Sequence, residues 1–174
     1  MARNGYMVVE TTFVPKSVCF SLQGDADIEN GAIVGKGDLI DGENSVYEAS
    51  DDYTGGMYLV ANPAWNYEVY KTTDRNEENY INKAGVAFRA YRLEKDMKFK
   101  VYNLDLSVPF VKGDGVKFEN GKYVKDDGGS PKLKVIMVED VGFPFCVGSG
   151  GVDVSGYGCA VGEIMKKYTI EVVA

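Results

Sequence analysis

Four stretches of this sequence carry side chains of the kind that do chemistry. Gly31-Ala32-Ile33-Val34-Gly35-Lys36-Gly37 approaches a phosphate-binding loop, in which backbone N–H groups and a lysine cradle phosphates. The spacing is one residue short, and Gly37 stands where the magnesium-binding Ser or Thr belongs, so nucleotide binding is not expected. Asp25-Ala26-Asp27-Ile28-Glu29-Asn30-Gly31 approaches a calcium loop. There the sharp-turn glycine falls on Asn30 and the closing bidentate acid on Lys36, which excludes an EF-hand. An incidental cation on these carboxylates remains an alternative to a plain solvated acidic turn. Glu77–Glu78 and Asp51–Asp52 are carboxylate pairs of the sort a glycosidase uses, although adjacent acids in polar stretches are ordinarily just solvated. Gly148, Gly150 and Gly151 are flanked by strand-like sequence and do not open the βαβ unit of a dinucleotide site.

The missing residue types exclude more than these motifs suggest. The chain of 174 residues has no histidine. That removes the commonest general base, the commonest metal ligand and every Ser-His or Cys-His nucleophile pair. Cys19, Cys146 and Cys159 are widely spaced and form no CxxC, so neither a zinc ribbon nor a thioredoxin-like motif is present. Cys19 sits in the apolar run Val18-Cys19-Phe20 and reads as a buried free thiol, consistent with synthesis in a reducing compartment. No catalytic residue, cofactor site or metal site is assigned. The net charge of −7 argues against a nucleic-acid partner, which clustered Lys and Arg would attract. The opening residues lack an apolar run of signal-peptide length, and no later stretch is long enough to span a membrane as a helix.

The elements that must position these residues read as strands. Apolar residues recur with period two: Met97, Phe99 and Val101; Leu133, Val135 and Met137; Tyr168, Ile170 and Val172. Asn120-Gly121 predicts a type I′ hairpin over Val116–Lys125, setting Glu119 opposite Lys122 as an ion pair and Phe118 opposite Tyr123. Asn30-Gly31 predicts a second turn. Asn79–Ala84 reads as one or two helical turns ahead of Gly85. The expected fold is therefore all-β, or β-rich with one short helix. We expect a compact sandwich or barrel-like unit spanning 1–174, with a possible arm at 1–13 and a possible protruding segment at 63–96.

That segment is the part of the chain most suited to contact something. It holds Trp65, Tyr67, Tyr70 and Tyr80, then the aromatic-basic run Phe88-Arg89-Ala90-Tyr91-Arg92. Large aromatics and arginine dominate strong protein contacts, which makes Trp65, Tyr67, Arg89 and Arg92 candidate interface residues. Met7, Val8 and Val9 are strand-like and suit addition to a partner's sheet edge. Two alternatives stand beside this reading: the aromatics cap a sheet edge or fill a local core, or they form a sugar-stacking face.

Several short tracts resemble the head decoration, or cement, proteins of tailed phages with HK97-type capsids. They are Asp27-Ile28-Glu29-Asn30-Gly31-Ala32-Ile33-Val34, Met57-Tyr58-Leu59-Val60-Ala61-Asn62-Pro63, Asn82-Lys83-Ala84-Gly85 through Arg89-Ala90-Tyr91-Arg92-Leu93, and the closing Ala160-Val161-Gly162-Glu163-Ile164 and Tyr168-Thr169-Ile170-Glu171-Val172. Two departures are that Tyr67-Glu68-Val69 lacks the family's aspartate, and that 111–131 and 148–158 have no counterpart in it. The resemblance implies a non-enzymatic structural protein on the outer head surface of a virion, made in the host cytoplasm. Its partner would be the major capsid protein, and it would assemble as a homo-oligomer, a trimer by preference. A lectin-like binding module and a histidine-free glycosidase are the alternatives from other classes.

Overall fold

The computed structural model describes residues 9–10, 18–63, 80–102, 110–128, 132–141 and 165–174. Among these the chain is all-β, with no helix. Five strands close into a barrel in the order β2 (Cys19–Gln23), β5 (Val46–Ser50), β4 (Ile33–Leu39), β6 (Tyr58–Val60), β8 (Ala87–Arg92). Six more form an open sheet in the order β1 (Val9–Glu10), β9 (Lys98–Tyr102), β13 (Met165–Val172), β12 (Leu133–Val141), β10 (Gly115–Glu119), β11 (Lys122–Lys125). The last pair, β3 (Ile28–Glu29) and β7 (Ile81–Asn82), makes a small separate ladder. Neighbours are antiparallel throughout, except for the parallel β2–β5 pair that helps close the barrel.

Side-chain alternation explains how barrel and sheet fit together. Leu22, Val34, Tyr58, Val60, Phe88 and Ala90 fill the barrel. Ile33 and Leu59, one residue out of phase, point through the barrel wall into a second core with Phe99, Val101, Val135, Tyr168, Ile170 and Val172 of the sheet. Ile33-Val34 and Tyr58-Leu59-Val60 are consequently buried on both faces. A continuous apolar run is the sequence form that such a doubly covered strand takes.

The predicted hairpin is present in its predicted register, with Phe118 opposite Tyr123 and Glu119 opposite Lys122. Asn120 and Gly121 adopt φ of 53° and 74°, as a type I′ turn requires. The Phe118 and Tyr123 rings meet edge to face at 5.0 Å. The Glu119 carboxylate, however, takes the Lys117 ammonium at 2.7 Å, two residues back on its own strand. Tyr123 also reaches across to the barrel, donating its hydroxyl proton to the Gly31 carbonyl at 2.6 Å.

Four expectations are corrected. Asn79–Ala84 is not helical where it is described: Ile81–Asn82 is strand β7, paired with β3. The physical reason is the Asp27 carboxylate, which accepts the Ala84 N–H at 3.0 Å and the Lys83 ammonium at 2.8 Å and so fixes a turn before Gly85 at φ 73°. Cys19 is exposed, because Phe20 and Leu22 take the inward positions of β2. Met137 faces solvent while Val138 packs on the core, because a bulge between Val135 and Met137 shifts the alternation by one residue. The described part of the 63–96 segment lies within the fold, since β8 pairs with β2 and β6 as a wall of the barrel.

Gly35 shows why one glycine of the phosphate-loop look-alike is needed inside a strand. A Cβ there would lie 1.8 Å from the Asp52 carbonyl oxygen, so the β4–β5 approach admits only glycine.

The barrel-to-hairpin bond gives the first testable outcome. Tyr123→Phe leaves the buried Gly31 carbonyl without its hydroxyl donor and should cost about 1–3 kcal/mol in urea unfolding. A loss within the error of the midpoint, at unchanged denaturant slope, would show that the bond does not couple hairpin to barrel.

Candidate functional site

Sequence reasoning nominated seven contact residues, and the structure places three of them. Met7, Val8, Trp65 and Tyr67 lie outside the described residues. Val9 belongs to β1 and pairs with Val101 of this chain's own β9, so that short strand extends the chain's own sheet. Arg89 and Arg92 are both exposed and lie on β8. Three residues apart on a strand, they point to opposite faces. Arg89 projects from the outside of the barrel, in register with Ser21. Arg92 shares the inward parity of Phe88 and Ala90 and ends at the barrel mouth, in register with Tyr58.

At that mouth the structure assembles a cluster that motif reading missed. Lys36 lies two residues beyond the buried Val34 on β4, so its side chain follows the barrel interior. Its ammonium sits 3.6 Å from the centroid of Tyr47 and 4.9 Å from that of Phe20. Phe20 in turn packs edge-on against Tyr47 at 6.0 Å and Tyr58 at 5.6 Å. A cation over aromatic faces contributes about 0.5–2 kcal/mol, more as water is excluded. Val18, whose carbonyl accepts the Arg92 N–H at 3.0 Å, and Leu39, in register with Tyr47, expose about half of their surface here, at 53% and 45%. Aromatic rings, two cations and two bare aliphatic side chains thus share one end of the barrel. The usable signal was the phase of Lys36 against Val34, which the resemblance to a phosphate loop concealed.

The acidic motifs prove to be fasteners of turns and strand ends. Asp27 binds Lys83 and Ala84 as described above. Asp52 accepts the backbone N–H and the hydroxyl of Thr54, both at 2.9 Å. Asp114 accepts the Val111 N–H and the Lys125 ammonium, each at 2.9 Å. Glu77 and Glu78 lie outside the described residues, as does the 148–158 loop. Among the described residues no group of three or more His, Cys, Asp or Glu side chains is placed to hold a metal ion.

Beside the acidic turn, three asparagines far apart in sequence, one of them Asn82 on β7, knot together. Asn30 Nδ2 donates to the Asn62 carbonyl at 2.8 Å, and the Asn62 N–H returns to Asn30 Oδ1 at 3.0 Å. Asn82 Nδ2 donates to Asn30 Oδ1 at 3.1 Å and to the Ile28 carbonyl at 3.0 Å. Asn62 Nδ2 reaches the Tyr80 hydroxyl at 2.7 Å. Asn30 and Asn82 are buried, and hydrogen bonding of this kind offsets their desolvation.

No protein-family model, curated protein sequence or solved structure matches this chain.

The fastened carboxylates contribute to stability in a pH-dependent way. Side-chain bonding to Lys83, then the Ala84 N–H, holds the Asp27 carboxyl below its ordinary value of 3.8. The Thr54 N–H and hydroxyl do the same for Asp52, and the Val111 N–H followed by Lys125 for Asp114. A carboxyl depressed in the folded state contributes stability above its unfolded pKa and loses it as pH falls through the folded value. Replacing Asp114 by Asn should therefore lower stability at neutral pH, with the gap to wild type closing as the pH drops through and below 3.8. Melting curves across that range test this; a gap that stays constant with pH would show that Asp114 acts through shape and not charge.

Proposed function

We propose that this chain is a non-enzymatic decoration protein that binds the outer surface of an assembled phage head as a homo-oligomer, a trimer by preference, and stabilises the expanded lattice. The observation that carries this reading is the tract Asn82 to Leu93, the strongest part of the resemblance. Within it Asn82 is buried in the asparagine knot, Gly85 takes a positive φ, and Phe88 and Ala90 fill the barrel. Arg89 is left exposed by the same alternation. Supporting features are an all-β frame suited to a rigid clamp and a net charge of −7, which suits an exterior position better than a face toward packaged DNA.

The mechanism is mass action. A protein that binds only the expanded lattice stabilises that lattice by its binding free energy, and copies joined about a symmetry axis add avidity. The contact surface we favour is the barrel mouth, with Lys36, Arg92, Val18 and Leu39, next to the outward Arg89.

The test is co-sedimentation of purified protein with phage heads, read as copies per lattice position. Stoichiometric binding to expanded heads, absent on unexpanded ones, is the expected result. Leu39→Asp should reduce occupancy about thirtyfold if the mouth is a strong contact worth roughly 2 kcal/mol, while leaving the melting temperature within a degree or so. Trp65→Ala, measured for melting and occupancy together, separates a contact role from a packing role. Binding of glycans by the isolated protein, with no binding to heads, would replace this reading with the lectin-like one.

A further inference from the structure

The two Asn-Gly pairs in the described residues have the same sequence, but their asparagines differ in burial and in what holds the carboxamide. Asn30 is buried, and its carboxamide is held by Asn62 and Asn82 through both its oxygen and its nitrogen. Asn120 sits at the exposed tip of the β10–β11 hairpin, and no hydrogen bond holds its carboxamide among the described residues.

From this contrast we infer that Asn120 is a site of spontaneous deamidation and isoaspartate formation, and that Asn30 is protected from the same reaction by the asparagine knot. The inference is independent of the capsid reading. In the reaction the Gly121 amide nitrogen attacks Asn120 Cγ. A new N–Cγ bond forms, the Cγ–Nδ2 bond breaks, and ammonia leaves with the Gly121 amide proton. Water then opens the five-membered imide at either carbonyl, giving aspartate or isoaspartate. Water and the chain itself are the only reactants. Glycine after the asparagine favours attack, because no side chain crowds the nitrogen. Fluctuation at a hairpin tip brings the two atoms together, whereas Asn30 needs the knot to open first.

The consequence falls on the hairpin register. Isoaspartate adds one methylene to the main chain inside a two-residue turn. The Phe118–Tyr123 pairing and the Tyr123 bond to Gly31 depend on that turn length. The product also carries a new carboxylate one residue from Glu119.

The experiment ages the native full-length protein in mildly alkaline buffer prepared with heavy-oxygen water, then maps its peptides by mass. The peptide with Asn120 should take up label at least about tenfold faster than that with Asn30, which corresponds to a local-opening cost of about 1.4 kcal/mol or more at the knot. Isoaspartate-specific enzymatic methylation should mark the same peptide. In urea, where neither site is sheltered, the two rates should converge. Asn4-Gly5 lies outside the described residues and is resolved in its own peptide. Equal native rates at Asn30 and Asn120 would overturn the inference. So would an Asn120 that reacts in urea but stays unmodified in the folded protein.

Discussion

The wall made by β4 and β6 is the constraint on which the rest of the structure depends. It belongs to two cores at once, with Val34, Tyr58 and Val60 facing the barrel and Ile33 and Leu59 facing the sheet. A five-stranded barrel of short strands encloses little apolar surface by itself, and an open sheet with one apolar face must be covered. Sharing a wall answers both needs. It also explains why the sheet's inner residues Phe99, Val101, Val135 and Ile170 are fully buried although no helix covers them among the described residues. A Leu59→Ala change would open a cavity against the second core and disturb the wall for both, the kind of deletion that typically costs about 2–5 kcal/mol.

Around that wall the polar residues act as fasteners with short reach. Asp27, Asp52 and Asp114 each hold a backbone N–H and a second donor in a loop next to a strand end. Exposed ion pairs such as Lys98 with Glu171 add little by comparison, since solvent screens them. The asparagine knot joins residues far apart in sequence, as Asp27 does with Lys83 and Ala84. The knot's one orphan, the Oδ1 of Asn82, is a buried acceptor without a hydrogen-bond partner among the described residues.

Much of the fold was legible in the sequence because it depended on periodicity and turn chemistry. Phe99, Val101, Tyr168, Ile170 and Val172 are core residues for the reason their spacing suggests, and Asn120-Gly121 fixes the register of its hairpin. What was not legible depended on contacts between distant residues. Nothing near Asn82 announces that Asp27 will bind the turn that follows it, so the local pattern looked helical. The bulge that turns Met137 outward is set by pairing with β13, some thirty residues later. Lys36 looked like part of a phosphate loop until the barrel placed Tyr47 and Phe20 beneath it. Of the candidate site, the opposite faces of Arg89 and Arg92 and the aromatic company of Lys36 emerge only with closure.

The strand order also governs the route by which the chain can fold. β2 completes the barrel by pairing with β8, and β13 is inserted between β9 and β12 in the middle of the open sheet. Neither layer is a stack of sequential hairpins. During synthesis the apolar faces of β9 and β12 must wait, unpaired with each other, until Met165–Val172 has been made. Long-range pairing of this kind slows folding and prolongs the exposure of strand edges. The chain is therefore most vulnerable to misassembly as a nascent polypeptide, and its yield of folded protein should depend on synthesis temperature and chaperone supply more than its final stability would suggest.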